Sequence, residues 1–255
     1  MHKVLFNLSH NNTVSNIILN QPKTYNALDL DMMVQLKKYF QEISIDQNIK
    51  LLIITANGDH FSTGGDLNWM QNAINYSKEE NFQDVENLAV MFLELYNLNK
   101  PVICAVQGNI YGGGLGFVAC SDIVIAANNS KFCFSEVRLG LAPAIISEFV
   151  FPVINIGFAK YSMLTAKPFN AEQAYNFGLV HEIVEVQKLT QAVADNVENI
   201  LSLDFNGIIT AKKLLRNKEP KISLEKLYSC VQTIADLRVR PEAQLLIKKF
   251  LHKKN

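Results

Sequence analysis

The hydrophobic pattern alternates between short β-type runs and longer helical repeats, and no linker rich in Pro, Gly or Ser divides the chain. Residues 4–8 and 14–19 predict a strand pair, and residues 51–56 form the continuous apolar run typical of a strand covered on both faces. Between them, apolar residues at helical spacing predict a helix that begins after Asp29, a suitable N-cap. A second helical pattern covers residues 85–95. The order of elements predicts an α/β protein.

The stretch from Lys100 to Pro143 combines two short apolar strands with a run of glycines. The predicted strands are Val102–Val106 and Ile123–Ala127, and Gly112-Gly113-Gly114 lie between them, just before an apolar helix start. Adjacent glycines lose much chain entropy on folding, so such a run usually exists where something approaches the backbone closely. The free N–H groups at a helix start suit a negatively charged oxygen. Glu136, in the loop beyond these strands, is a candidate acid–base residue.

The glycine run has two other interpretations. The pattern Gly114-x-Gly116-x-x-Ala119 matches a dinucleotide fingerprint, but the preceding strand ends well before it and the next strand ends in Asn128 instead of an acid. Alternatively, the glycines only permit close packing. A functional site is favoured by Thr63-Gly64-Gly65-Asp66, which also follows a buried strand and opens a helix. Two such junctions can aim one N–H each at a single oxygen.

The chain after Ala144 is mainly helical. A short helix over residues 171–177 has Asn170 as a plausible cap and Gly178 as a stop, and a last short strand covers residues 179–184. Two long amphipathic stretches follow, at roughly 187–216 and 223–252. We therefore assign residues 1–195 to a core with the active site and residues 196–255 to a helical C-terminal region.

Composition argues against several classes of protein. Lysine plus arginine equals aspartate plus glutamate at 24 each, so no net field favours nucleic acid or an anionic membrane. The four cysteines lack CxxC spacing, which favours buried free thiols in a reducing compartment over a zinc site. The N-terminus lacks the apolar core of a signal peptide, and no apolar run reaches the roughly 18 residues of a membrane span. We predict a cytoplasmic protein that binds neither nucleic acid nor membrane.

Taken together, these motifs resemble the enoyl-CoA hydratase/isomerase (crotonase) family over nearly the whole chain. Each matching segment is weak evidence for the family by itself, but the number and order of the segments make the resemblance specific. The segments cover residues 20–28, 61–67, 100–122, 135–143, 178–180 and 240–251. The resemblance implies a crotonase-like spiral of repeated β-β-α units in the core. It also implies that the helical C-terminal region serves trimerisation, giving a homotrimer or a hexamer formed as a dimer of trimers.

The resemblance further implies the substrate and the site. The substrate is an acyl-CoA thioester, with no metal and no redox cofactor. Two backbone N–H groups hold the thioester oxygen as it becomes an enolate, and these are matched to Thr63 and Gly113; such fixed donors are worth about 2.7–4 kcal/mol each. Glu136 is the implied acid–base residue. Other implied substrate contacts are Gly64, Gly65, Asp66, Leu67, Gly112, Gly116 and Arg138, and implied CoA contacts are Lys23, Ala27, Phe250 and Lys253. In relatives the last two positions reach a neighbouring subunit's CoA.

The chain departs from the two-glutamate hydratases of this family at Gly116, where the first glutamate is expected. Glu136 alone can serve hydration by taking a proton from water and then passing it on. A double-bond isomerase needs only one base, so isomerisation is the second hypothesis. A non-catalytic acyl-CoA-binding paralogue is the third. Thioester hydrolysis, decarboxylation and dehalogenation also stay open, because one fold hosts many reactions.

The residues around Glu136 favour hydration. Residues 111–116 and 135–147 resemble a bacterial branch assigned to methylglutaconyl-CoA or carboxygeranoyl-CoA hydration, in leucine or isoprenoid breakdown. Those substrates carry a second carboxylate, for which Arg138 is a candidate bidentate partner. A structural ion pair is the alternative role for Arg138, and Glu148 is either an additional acid or a surface residue.

Overall fold

The computed structural model describes residues 2–252 and contains two β-sheets surrounded by helices. Its strands are β1 Val4–Ser9, β2 Val14–Leu19, β3 Leu51–Ala56, β4 Val102–Val106, β5 Asn109–Tyr111, β6 Ile123–Ala127, β7 Lys131–Cys133, β8 Phe169–Asn170 and β9 Glu182–Val184. Its α-helices are α1 Leu30–Ile45, α2 Leu67–Asn72, α3 Lys78–Tyr96, α4 Gly113–Cys120, α5 Ala144–Val150, α6 Ile156–Thr165, α7 Ala171–Asn176, α8 Leu189–Ser202, α9 Phe205–Arg216, α10 Leu224–Arg238 and α11 Pro241–His252.

The larger sheet has the strand order β1-β2-β3-β4-β6-β9, and every pair except β1–β2 is parallel. Strands β3 and β4 lie in its middle, and the apolar run of β3 is covered on both faces as predicted, as is that of β4. The smaller sheet has the order β5-β7-β8. Strand β5 is not among the strands predicted from the sequence, because three residues give too short a pattern to indicate a strand.

Several helices begin where the sequence predicts, because the N-cap residue that marks each start bonds to an N–H only three residues further along the chain. The Asp29 carboxylate accepts a hydrogen bond from Met32 N–H at the start of α1, and the Asn170 side chain accepts one from Gln173 N–H at the start of α7. Helix α4 begins at Gly113, directly after the left-handed Gly112 (φ 48°). All of its residues are buried, so this helix passes through the interior.

Each of the two long amphipathic stretches predicted at the C-terminus is divided into two helices. Asp204 caps α9 and separates it from α8, while Pro241 begins α11 after a break at Val239 and Arg240. The predicted boundary between residues 195 and 196 falls inside α8. Among residues 2–252, none of the helices is both long enough and apolar enough to cross a membrane.

The C-terminal helices fold back over the loops that follow the central strands. Helix α10 packs on α3 and α5. Helix α11 packs on α2 and on a short 3₁₀ helix at Glu136–Leu139. These contacts enclose a space between the two glycine junctions and the C-terminal helices of the same chain.

Candidate active site

A cavity of about 730 Å³ lies between the two glycine junctions and the C-terminal helices. Its volume is within the range of small-molecule sites, roughly 300–1,000 Å³. Most of the residues predicted for the site line it: Lys23, Ala27, Thr63, Gly64, Gly65, Asp66, Leu67, Gly112, Gly113, Glu136, Arg138 and Phe250. The structure therefore brings together residues from both ends of the chain and from both glycine junctions.

Backbone hydrogen bonds hold the two junctions against each other. Ser62 N–H donates to Asn109 O, and Tyr111 N–H donates to Ser62 O, so the first junction runs alongside β5. Gly64 has φ 85°, and a Cβ on it would lie 3.0 Å from Gly113 N. Only a glycine at residue 64 permits this approach, because a side chain there would be strained and would cover the Gly113 N–H.

The structure corrects the role predicted for Thr63. Its backbone N–H donates to Tyr25 O at 3.1 Å and is therefore not available to a substrate oxygen. By contrast, Gly65 N–H and Gly113 N–H have no acceptor among residues 2–252. Gly113 is the first residue of α4, where an N–H has no partner within the helix. Gly65 and Gly113 thus each offer this cavity a backbone N–H that has no acceptor among the described residues.

Glu136 lies on the cavity wall beside the second junction. Gly112 has φ 48°, a conformation that favours glycine, and a Cβ on it would lie 3.3 Å from Glu136 Oε1. The other oxygen, Oε2, is buried and has no hydrogen-bond partner within the described chain, although the residue as a whole is only partly buried. Burial raises the pKa of this carboxyl from 4.5 to about 7, opposed by a hydrogen bond from its own backbone N–H.

Gly116 does not line the cavity, contrary to the prediction that it contacts substrate. It lies inside α4, and a Cβ on it would be 2.4 Å from Phe92 Cζ. The position expected to carry a first glutamate is therefore packed against an aromatic ring. The second acid on the cavity wall is Asp66, whose Oδ1 accepts a hydrogen bond from Trp69 N–H as the N-cap of α2.

Arg138 lines the cavity but does not form the structural ion pair considered as its alternative role. Arg138 Nη2 donates a hydrogen bond to the backbone oxygen of Ala166, and within residues 2–252 no carboxylate lies within ion-pair distance of Arg138. Glu148 is not among the cavity residues. Arg138 is exposed, so its remaining N–H groups are accessible from the cavity side.

Cationic and aromatic side chains also line the cavity. Lys23, Ala27, Lys248 and Phe250 line it. Phe250 lines the cavity of its own chain, whereas the resemblance implied a role at a neighbouring subunit's CoA. Lys253, the remaining predicted CoA contact, lies outside the described residues.

Sequence reasoning missed a buried polar cluster in the cavity wall. Trp69 Nε1 donates to Asp84 Oδ1 at 2.9 Å, and Asp84 Oδ2 pairs with Arg238 Nη2 at 2.5 Å. A signal was present, because Arg238 is in helical register with the buried residues Val231 and Ala235. Within residues 2–252, the His, Cys, Asp and Glu side chains form no group of three that could hold a metal ion.

Comparison with known proteins agrees with this fold. A sequence model of the enoyl-CoA hydratase/isomerase family matches residues 9–251. The chain belongs to this family. The fold predicted from the sequence, a crotonase-like α/β structure with a helical C-terminal region, is confirmed as well.

Individual members of the enoyl-CoA hydratase/isomerase family differ in the activity they are named for. The chain is 35% identical over 188 residues to crotonyl-CoA hydratase from Syntrophomonas wolfei, covering 73% of this chain and 71% of that protein. It is 29% identical over 197 residues to a trans-2-decenoyl acyl-carrier-protein isomerase from Streptococcus mutans, covering 76% and 74%. The crystal structure of an enoyl-CoA hydratase from Shewanella pealeana matches with TM-score 0.81 and 33% identity, over 99% of this chain and 94% of that one.

Proposed function

We propose that this member of the family hydrates the C=C bond of an unsaturated acyl-CoA thioester. The proposal assigns the thioester oxygen to the N–H groups of Gly65 and Gly113 and the acid–base steps to Glu136. The observation that carries it is the buried, unpartnered Oε2 of Glu136 beside the second glycine junction. Because Oε2 has no hydrogen-bond partner among residues 2–252, the Glu136 carboxyl is not engaged in a structural hydrogen bond through this oxygen.

The raised pKa of Glu136 suits a group that must both accept and release a proton. A carboxyl with a pKa of about 7 is partly ionised at neutral pH, close to the optimum for acid–base catalysis. The ionised carboxylate takes a proton from water while the water oxygen bonds to the β carbon. The electrons of the C=C bond move to the thioester oxygen, where the two N–H groups hold the developing negative charge. Protonated Glu136 then returns the proton to the α carbon, so that one water has been added in total.

A finer proposal concerns the acyl group, which we take to be branched or of the glutaconyl type. Its support is the sequence around Tyr111–Gly116 and Glu136, which resembles the branch assigned to such substrates. The mixed wall of the cavity is compatible with a polar acyl end. Apolar side chains such as Leu88, Ile145 and Ile146 lie there alongside Arg138 and Arg238.

Isomerisation between the Δ3 and Δ2 positions is the second candidate. It is favoured by the packing of Gly116 against Phe92, because no carboxylate at residue 116 can then assist Glu136 at the second glycine junction. An isomerase needs just one base, which moves a proton between two carbons of the substrate. The Streptococcus mutans relative is named for an isomerase activity.

An isotope experiment on the purified protein separates these functions. The protein and its Glu136→Gln variant are incubated in H₂¹⁸O with crotonyl-CoA, 3-methylcrotonyl-CoA, 3-methylglutaconyl-CoA and 3-hexenoyl-CoA, and products are identified by mass spectrometry. We expect an ¹⁸O-labelled hydroxyacyl-CoA that is lost in the variant. A shifted double bond without ¹⁸O would replace hydration by isomerisation. Binding of acyl-CoA without turnover of any substrate would instead favour a non-catalytic binding protein.

We propose that the protein assembles as a homotrimer or as a dimer of trimers, the states that its resemblance to the family implies. Its support within the described chain is a set of large apolar side chains that stay exposed on the helices, including Ile156, Tyr161, Leu164, Leu214 and Leu215. Mass photometry of the purified protein tests it, and a monomeric mass would contradict it.

A further inference from the structure

Arg238 is a buried cation at the end of α10, in the wall of the cavity. Its side chain is 1% exposed, and it is the largest fully buried side chain among the described residues. Its guanidinium carbon lies 5.0 Å from the centre of the Trp69 ring. Arginine is rarely buried without partners, because taking a charge out of water costs several kcal/mol.

Two of the three guanidinium nitrogens of Arg238 are satisfied by neighbouring residues. Nε donates to Asn81 Oδ1 at 2.5 Å, and Nη2 donates to Asp84 Oδ2 and to Asn81 O at 2.5 and 3.3 Å. Asp84 is itself held by Trp69 Nε1, and Asn81 Nδ2 donates to Ala235 O. The guanidinium is therefore fixed in position on two sides.

The third nitrogen, Nη1, is buried and has no acceptor among residues 2–252. A charged donor left without a partner is costly, so it normally has a protein, solvent or ligand acceptor. Arg238 is also one of the cavity-lining residues, next to the apolar side chains of Ile234 and Trp69. Its partners within the protein all bond to the other two nitrogens. The guanidinium nitrogen left without an acceptor among the described residues is Nη1.

We propose that Nη1 of Arg238 binds a carboxylate at the far end of the acyl group, so that the site selects acyl-CoA thioesters whose acyl chain ends in an acid. This inference rests on the proposed function, because it assigns the cavity to an acyl-CoA. A carboxylate accepts a charge-assisted hydrogen bond from the guanidinium, whereas a terminal methyl group leaves Nη1 unpaired. Sites that donate a buried hydrogen bond reject analogues lacking the acceptor for this reason.

The assignment differs from the sequence-based expectation, which gave this role to Arg138. Arg138 is exposed and already donates to the Ala166 carbonyl. A bond made in bulk water contributes less selectivity than one made in a desolvated wall. Arg238 is buried and pre-oriented by Asn81 and Asp84, and is the better placed of the two arginines to discriminate acyl ends.

Binding of two unreactive, saturated thioesters of equal chain length tests the proposal without requiring turnover. Glutaryl-CoA ends in a carboxylate and valeryl-CoA in a methyl group, and their dissociation constants are measured by isothermal titration calorimetry on the full chain. We expect the wild type to bind glutaryl-CoA at least about tenfold more tightly. Arg238→Lys keeps a positive charge beside Asp84 but replaces the planar guanidinium, and with it Nη1, by an ammonium group. This variant should reduce the ratio of the valeryl-CoA to the glutaryl-CoA dissociation constant by about tenfold or more.

A matched control is Arg216→Lys. Arg216 also pairs with a carboxylate, Glu219, and lies 3.7 Å from the Tyr96 ring centre, but it does not line the cavity. The ratio of the two dissociation constants should be the same in this variant as in the wild type. Loss of the ratio in Arg138→Met but not in Arg238→Lys would transfer the role to Arg138 and overturn the proposal.

The wild-type protein alone can also overturn the inference, should Arg238→Lys fail to fold. Equal binding of both thioesters, or tighter binding of valeryl-CoA, would exclude a carboxylate partner for Nη1 while leaving the acyl-CoA assignment intact. Failure to bind either thioester would overturn the proposed function together with this inference. The two failures are therefore distinguishable.

Discussion

The ring of Phe92 occupies the space directly outside Gly116, where a Cβ would lie 2.4 Å from the ring carbon Cζ. Both residues are buried, and Phe92 also packs edge-on against Phe117 with ring centres 5.2 Å apart. Any side chain at residue 116 must displace this ring. The lack of a glutamate at this position is thus built into the packing of α3 against α4.

Gly116→Ala tests that relationship through stability. We expect a loss of about 1–3 kcal/mol in the free energy of unfolding, as for other groups added to a well-packed core. In a Phe92→Leu background, which removes Cζ, the same substitution should cost less. Urea denaturation of all four members of the cycle measures the difference.

The control for this cycle is Gly207→Ala in α9. A Cβ on Gly207 meets only Asp204 at 3.4 Å, so the change should be neutral or stabilising by up to about 1 kcal/mol. An equal cost for Gly116→Ala in both Phe92 backgrounds would contradict the steric explanation.

The ionisation of Glu136 predicts the pH dependence of activity. Its pKa of about 7 and its role as a base imply that kcat/KM rises with pH through about 7 and then levels off. Glu136→Gln should lower kcat/KM by roughly 10²–10⁴ and abolish this rise. Initial rates across the pH range measure both effects. A kcat/KM that falls as pH rises through 7 would indicate that the protonated acid is the required form in the free enzyme.

The same pKa predicts a pH-dependent effect on stability. Folded Glu136 holds its proton more tightly than the unfolded chain, so between about pH 4.5 and 7 stability falls as pH rises. Glu136→Gln cannot ionise and lacks this fall. The variant should therefore gain stability relative to wild type, on the order of 1–3 kcal/mol, between about pH 5 and pH 8. Urea denaturation at the two pH values measures it, and a pH-independent difference would argue against a raised pKa.

The choice between Thr63 and Gly65 as N–H donor can be tested by removing one N–H. Gly65→Pro deletes the donor and should lower kcat by about 10²–10³, while Gly65→Ala keeps it and should retain most activity. The added Cβ meets the flexible end of Met70, which can move. Thr63→Ala serves as a second control, since only the Thr63 backbone is engaged, by Tyr25 O. Circular dichroism confirms folding. Full activity in Gly65→Pro would exclude the Gly65 N–H.

The sequence by itself determined the local elements of this protein. The caps Asp29 and Asn170 and the apolar run of β3 depend on neighbouring residues only, and each is confirmed. The order of motifs was also enough to identify the family and to indicate Glu136 and Gly113 as residues at one site. These statements need residue types and spacing, which a single chain contains.

Only the tertiary structure decided which backbone groups and side chains face the cavity. Thr63 and Gly65 are close neighbours in one loop, and a hydrogen bond to the distant Tyr25 carbonyl removes the first of them as a donor. Gly116 and Gly113 lie on the same short helix, yet the rotation of α4 turns residue 116 towards Phe92. The direction of an N–H or a Cβ depends on contacts between segments far apart in the chain, which residue spacing alone does not specify.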